Sequence, residues 1–126
     1  MIKIFVVDDE PDVELMFRQK FRNEIKTGEF YLMFALSAER ALSYMGTLQP
    51  FDIILVLSDI NMPGMSGLEL LKRVRSQHPD LKVFMISAYG DQHNQDEASR
   101  LGATDFITKP VDFLSLKQRI LNSTSR

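Results

Sequence analysis

A chain of 126 residues, 44% hydrophobic and 25% charged, is long enough to bury one core and too ordinary in composition for a disordered, fibrous or membrane-spanning class. With 15 Lys and Arg against 17 Asp and Glu the net charge is −2, and no basic cluster forms, so direct nucleic-acid binding is not expected. Cys is absent, which excludes disulfide frameworks, thiol catalysis and zinc sites of the Cys type.

The N-terminal apolar run Ile4-Phe5-Val6-Val7 is too short for a signal peptide, and no stretch reaches transmembrane length, so a cytoplasmic setting away from membranes is expected. Residues 2–7 are rich in Ile, Val and Phe and almost uncharged, which reads as a strand covered on both faces, the pattern of a parallel sheet. The strand stops at Asp8. Pro11 suits the first turn of a helix, and Asp9, Glu10, Asp12 and Glu14 lie where the macrodipole favours acids. Val13, Met16, Phe17, Phe21 and Ile25 then recur at helical spacing as far as Thr27-Gly28. Residues 30–36 are apolar and aromatic and predict a second strand, after which Ser37 caps a helix carrying Ala38, Ala41, Leu42 and Met45. The third strand is expected over 51–57, entered past Pro50 and Asp52. Its Ile53-Ile54-Leu55-Val56-Leu57 run is the most continuously apolar in the chain, which makes it the central strand.

That run ends at Asp59, and Pro63, Gly64 and Gly67 follow in a turn-rich loop. Ser66-Gly67-Leu68-Glu69 has the capping-box pattern. It opens a helix with Leu68, Leu71 and Val74 inside and Lys72, Arg73 and Arg75 as exposed cations, closed by His78-Pro79. Residues 81–86 predict a fourth strand, ending at Ser87. A mostly polar helix over 91–101 has a thin apolar face, the mark of a loosely held element. Residues 103–108 make a short fifth strand that Lys109-Pro110 breaks, and Asp112 caps a last helix through Phe113, Leu116 and Ile120, with 122–126 frayed. Five strands alternating with five helices predict one doubly wound α/β domain over residues 1–126. It is flavodoxin-like, with a five-stranded parallel sheet in the order 2-1-3-4-5 and right-handed crossovers.

In that fold Asp8 and Asp9 end strand one, Asp59 ends strand three, Ser87 ends strand four and Lys109 follows strand five. Five polar groups converge on the sheet edge where ligands of open α/β sheets bind. Singly, each has a plain reading as a helix-start acid, a turn serine or a solvated lysine. Jointly they do not. Two carboxylates about 4 Å apart repel by roughly 4 kcal/mol at an effective dielectric near 20, so three in one pocket call for a cation. Oxygen ligands without His or Cys suit magnesium. A metal on Asp9 and Asp59 leaves positions for a phosphoryl oxygen, Lys109 and the Ser87 hydroxyl can hold the others, and the Asp59 carboxylate can attack phosphorus directly. His78 and His93 have no partner at ligand or triad spacing and are expected at the surface.

The residues Asp8-Asp9, Asp59-Ile60-Asn61-Met62-Pro63-Gly64, Ser87-Ala88 and Lys109-Pro110 resemble the CheY-like receiver domain of two-component response regulators over essentially the whole chain. The resemblance implies that Asp59 accepts phosphate from a sensor histidine kinase or phosphotransfer protein. It implies Mg2+ held by Asp9, Asp59 and the Asn61 backbone carbonyl, with Asp8 acting largely through water. Lys109 is then the phosphoryl-contacting cation, Ser87 the switch hydroxyl, Phe106 the switch aromatic and Pro110 a cis proline. Asn61 and Tyr89 flank the path of attacking water and are expected to tune hydrolysis. On this reading the chain catalyses only its own phosphorylation and dephosphorylation. The face of the fourth helix, fifth strand and fifth helix, where Leu114 and Leu121 lie off the apolar stripe, signals to an output domain or downstream protein. The protein is then a monomer or a phosphorylation-dependent homodimer.

Three features depart from the family pattern. Two more residues than usual separate Asp52 from Asp59, so the third strand is expected to be longer, bulged or shifted in register. The switch aromatic is Phe, not Tyr. Strand two carries Phe30, Tyr31, Met33 and Phe34, bulky enough for a covered edge or a dimer contact, core packing being the simpler account. Two other readings compete. An aspartyl-phosphate phosphatase of the haloacid dehalogenase type needs a second acid two positions past its nucleophile, where Asn61 stands. A degenerate receiver serving only as an interaction module is at odds with the full set of acceptor groups.

Overall fold

A computed structural model describes residues 1–47, 53, 55–88 and 91–124. The elements are β1 (Ile2–Val7), α1 (Pro11–Lys20), α2 (Arg22–Thr27), β2 (Phe30–Ala35), α3 (Ala38–Met45), β3 (Leu55–Asp59), α4 (Gly67–Gln77), β4 (Lys82–Ala88), α5 (Gln92–Arg100), β5 (Asp105–Lys109) and α6 (Phe113–Thr124). All pairings are parallel and the strand order is β2-β1-β3-β4-β5, as the alternation of elements predicts.

The strands read as continuous apolar runs because helices cover both faces of the sheet. On one face Ile4, Val6, Leu55, Leu57, Phe84 and Ile86 pack with Phe17 of α1, with Phe21, and with Leu116 and Ile120 of α6. On the other, Phe5, Val7, Val56, Val83 and Met85 meet Ala38 and Ala41 of α3, Leu70, Leu71 and Val74 of α4, and Ala98 of α5. Each large side chain buried in this way contributes about 1.5–3 kcal/mol.

Among the described residues there are six helices and not the expected five, because the first is interrupted at Phe21. That residue leaves the helical basin, with φ −104° and ψ 24°. Its N–H still donates to the Phe17 carbonyl, and the Phe21 carbonyl accepts from the Ile25 N–H, both at 2.9 Å. The chain therefore bends without losing its ladder, and the Phe21 ring meets Phe30 and Phe113 edge-on at 5.2 and 5.5 Å. Such ring pairs add about 0.5–1.5 kcal/mol beyond burial, which outweighs the local propensity for a straight helix. Met16, expected on the inner stripe, is 45% exposed.

The third strand also starts later than expected. Leu55 is its first paired residue, aligned with Ile4 of β1 and Lys82 of β4, and pairing with β4 advances one residue at a time to Asp59. No bulge interrupts this stretch. Pro50, Phe51, Asp52 and Ile54, where the extra length was anticipated, lie outside the described residues. β4 runs past its expected end because Ser87 and Ala88 pair with Thr108 and Lys109. β2 stops at Ala35; Phe30 and Leu32 are buried in the core and Tyr31 faces out.

Caps form where the sequence places them. Ser37 Oγ accepts from the Arg40 N–H, and Asp112 Oδ1 accepts from the N–H groups of Leu114 and Ser115. Ser66 Oγ accepts from the Glu69 N–H at 3.2 Å, while the Glu69 carboxylate turns outward to Arg73 at 3.5 Å instead of closing the box. Residues 122–124 continue α6, since the Ser123 and Thr124 hydroxyls donate to the Ile120 carbonyl at 3.1 and 2.8 Å. Arg75 is no free surface cation. Its guanidinium donates to the carbonyls of Pro79, Leu81 and Gly102 at 2.9, 2.7 and 2.8 Å, tying the end of α4 to the loops before β4 and β5. No helix among the described residues is long and apolar enough to cross a membrane.

Candidate functional site

In this strand order the crossovers change direction between β1 and β3, and the chain leaves a crevice there beyond the carboxyl ends of the strands. Asp8 follows β1 and Asp59 closes β3, so one carboxylate stands on each side of the crevice. They are 6% and 5% exposed. Carboxylate oxygens of Asp8, Asp9 and Asp59 all lie within 4.8 Å of one another. Lys109, the last residue of β5, brings its Nζ to 3.2 Å from Asp59 Oδ2 and 3.9 Å from Asp8 Oδ2.

Three carboxylates facing one ammonium leave negative charge uncompensated, and the donors are all oxygens. That set fits a hard divalent cation. The electrostatics carry the same imprint. Burial, reinforced by the charge of Asp59, pushes the Asp8 carboxyl up to about 6, although the Glu10 N–H donates to its Oδ1 at 3.0 Å. Burial disfavours the Lys109 ammonium, but the charge and hydrogen bond of Asp59 outweigh it and hold its pKa above the ordinary lysine value.

The Asp8 shift has a consequence for the metal-free protein. Between about pH 4 and about pH 6 the unfolded chain has released this proton and the fold still holds it. Stability therefore falls as pH rises through that window, by roughly 3 kcal/mol in total. A carbon-detected titration of the Asp8 carboxyl without metal should show a midpoint near 6. Asp8→Asn should remove the loss of stability, as read by urea unfolding on either side of the window. A midpoint in the ordinary aspartate range would refute the effect of burial.

Ser87, 1% exposed, ends one strand away from Asp59, but its hydroxyl donates to Asp91 Oδ2 at 2.8 Å. Asn61 is exposed in the loop after β3, and Tyr89 lies outside the described residues. Phe106 is half-buried and packs on the face of the sheet that α3, α4 and α5 cover. The Lys109–Pro110 peptide bond is cis. Leu114, expected off the apolar stripe, is 85% exposed and lines a groove of about 880 Å³ beside Met16, Phe17 and Phe113, open to Asp8 and Lys109. Leu121 is half-buried against the α1–α6 side of the core. His93 is exposed and His78 is half-buried at the end of α4.

Two side chains near the site are not among those that the sequence motifs single out. Glu39 of α3 accepts from the Met65 N–H at 3.1 Å and so braces the loop that carries Asn61. Asp91 holds Ser87 and caps α5. Its spacing to Asn94 is a helix-start signature that could have flagged it, whereas no local pattern points Glu39 at a loop 26 residues away.

A family model, the response regulator receiver domain, matches residues 4–121. The chain belongs to the response regulator receiver family. This receiver is 36% identical over 120 residues to the response regulator protein PilR of Pseudomonas aeruginosa, a match covering 94% of the chain and 25% of PilR. It is 34% identical over 110 residues to the chemotaxis protein CheY of Listeria monocytogenes, covering 87% of each. A crystal structure of a response regulator receiver domain protein from Clostridium thermocellum has the same fold, with a TM-score of 0.86 at 25% identity, covering 98% of this chain and 94% of that one. The receiver thus spans about a quarter of the length of PilR and most of that of CheY.

Proposed function

We propose that this receiver, taken as one unit over residues 1–126, is a phospho-acceptor that works as a reversible switch in the cytoplasm. The observation that carries the reading is the Lys109 ammonium 3.2 Å from Asp59, in a three-carboxylate cluster at the β1/β3 crevice whose Asp8 and Asp59 are buried. An Asp59 oxygen forms a bond to phosphorus as the P–N bond of a donor phosphohistidine breaks, and the departing imidazole nitrogen takes a proton from solvent. Lys109, 3.2 Å from Asp59, neutralises charge on the phosphoryl oxygens and holds them beside the attacking carboxylate. Asp8, Asp9, Asp59 and the Asn61 carbonyl are the groups that would hold magnesium, which when bound supplies the remaining positive charge.

The donor is a sensor histidine kinase or phosphotransfer protein. The groove between α1 and α6 opens beside Asp8 and Lys109 and offers Met16 and Leu114 as apolar contacts, which supports a protein donor over a free small molecule. Once formed, the acyl phosphate adds charge and acceptor oxygens that draw on the Ser87 hydroxyl and let Phe106 repack. Asn61 and Tyr89 tune its hydrolysis. The α5-β5-α6 face carries the signal to an output domain or a downstream protein, and α5 suits this because Ala98 is its one buried residue.

Addition of acetyl phosphate with magnesium should change amide hydrogen exchange across residues 92–121 by tenfold or more at several sites, the size of a shift of about 1.4 kcal/mol in local opening. Unchanged exchange there, with Asp59 phosphorylated, would overturn the assignment of the signalling face.

A further inference from the structure

A serine hydroxyl has one proton to give, and here Asp91 takes it. Asp91 is itself fixed: Asn94 Nδ2 donates to the same Oδ2 at 2.6 Å, and the Asn94 N–H reaches Oδ1 at 3.4 Å. The hydrogen bonds from Asn94 and Ser87 hold the Asp91 carboxyl below the usual aspartate range, so it is an ionised acceptor at neutral pH. Ser87 is 1% exposed, which leaves water little access as a substitute partner. A phosphoryl group on Asp59 brings a second anionic acceptor, and one proton cannot serve both.

We propose that Asp91 is a positioning residue acting through Ser87, its carboxylate holding the hydroxyl in the resting arrangement so that a phosphoryl group on Asp59 must displace it. The inference rests on the phospho-acceptor reading of Asp59. It also gives the switch a route into α5. Asp91 is the N-cap of that helix, so loss of the Ser87 bond loosens the first turn of an element with one buried residue. The opposing force is tuned by the charge on Asp91, since a hydrogen bond to an ionised acceptor is about twice as strong as one between neutral groups.

The test uses beryllofluoride with magnesium as the phosphoryl stand-in and reads the half-saturating concentration from amide shifts. It compares the unaltered protein, Asp91→Asn, Ser87→Ala and the double variant. Asn caps helices as well as Asp, so Asp91→Asn keeps the helix start and removes the charge. It should lower the half-saturating concentration about three- to tenfold, and the same exchange in the Ser87→Ala background should change it less than about twofold. Side-chain couplings of Ser87 should pass from one rotamer to averaging in Asp91→Asn. Asp91→Ser, which keeps a capping hydroxyl and removes the charge, should act in the same direction and serves if Asp91→Asn folds poorly. An equal change in both backgrounds, or none in either, overturns the inference while the site reading stands. If the unaltered protein shows no saturable response to beryllofluoride, the phospho-acceptor reading falls and the inference with it.

Discussion

Asp59→Asn is expected to reduce phosphoryl incorporation from acetyl phosphate with magnesium by about 1,000-fold or more, to background, as happens when a nucleophile is removed from a site whose other groups remain. The amide nitrogen and oxygen have the shape of the carboxylate but not its charge, so neither displaces a leaving group from phosphorus. The fold should survive. Asp59 is 5% exposed, and its carboxylate lies within 4.8 Å of those of Asp8 and Asp9, so the variant removes repulsion inside the crevice at the expense of the 3.2 Å contact with Lys109. The Asp8 carboxyl should then titrate lower, because the Asp59 charge is one of the causes that push it up. Labelling is checked by mass spectrometry and by the hydroxylamine sensitivity of an acyl phosphate. A label retained in the Asn variant would identify a different acceptor.

Gly67→Ala should be among the most damaging single substitutions in the chain. A β-carbon at this position would meet the carbonyl oxygen of Asp59 and lie 2.8 Å from the Ile60 Cα. Both are backbone atoms, so no rotamer change relieves the contact. The same backbones are held together by the Gly67 N–H donating to the Ile60 carbonyl at 2.8 Å, and the Ile60 N–H donates in turn to the Ile86 carbonyl at 3.0 Å. The helix α4 must therefore move away from the end of β3, or β3 must move away from β4. Overpacking of a rigid site costs about 1–3 kcal/mol and more when backbone must shift, a large share of the 5–15 kcal/mol typical of a domain. Urea unfolding should show the loss. Phosphoryl incorporation should fall as well, because the displaced backbone is that of Asp59 itself. A variant with unaltered stability and labelling would mean that the close approach of α4 to β3 is not required.

Much of this arrangement could be read from residue order alone, because its causes are local. A strand buried on both faces needs an uninterrupted apolar run, which Ile4 to Val7 and Leu55 to Leu57 supply, and the strands end where Asp8 and Asp59 interrupt it. Caps at Ser37, Ser66 and Asp112 are read within three residues of their partners. Strand alternation with helices then implies the parallel order, and the order implies a common edge for Asp8, Asp59, Ser87 and Lys109.

What the tertiary structure alone decided depends on side chains choosing among partners distant in the chain. The bend at Phe21 exists for the rings of Phe30 and Phe113, and Arg75 turns from solvent because three carbonyls end near it. Lys109 selects Asp59 from 50 residues away, and the Ser87 hydroxyl is given to Asp91 instead of the crevice. Leu114 joins a groove that Met16 and Phe17 of α1 also line. Sequence periodicity sets which way a backbone faces over a few residues; the direction of a long or polar side chain is set by which charge, ring or carbonyl the folded chain brings within reach.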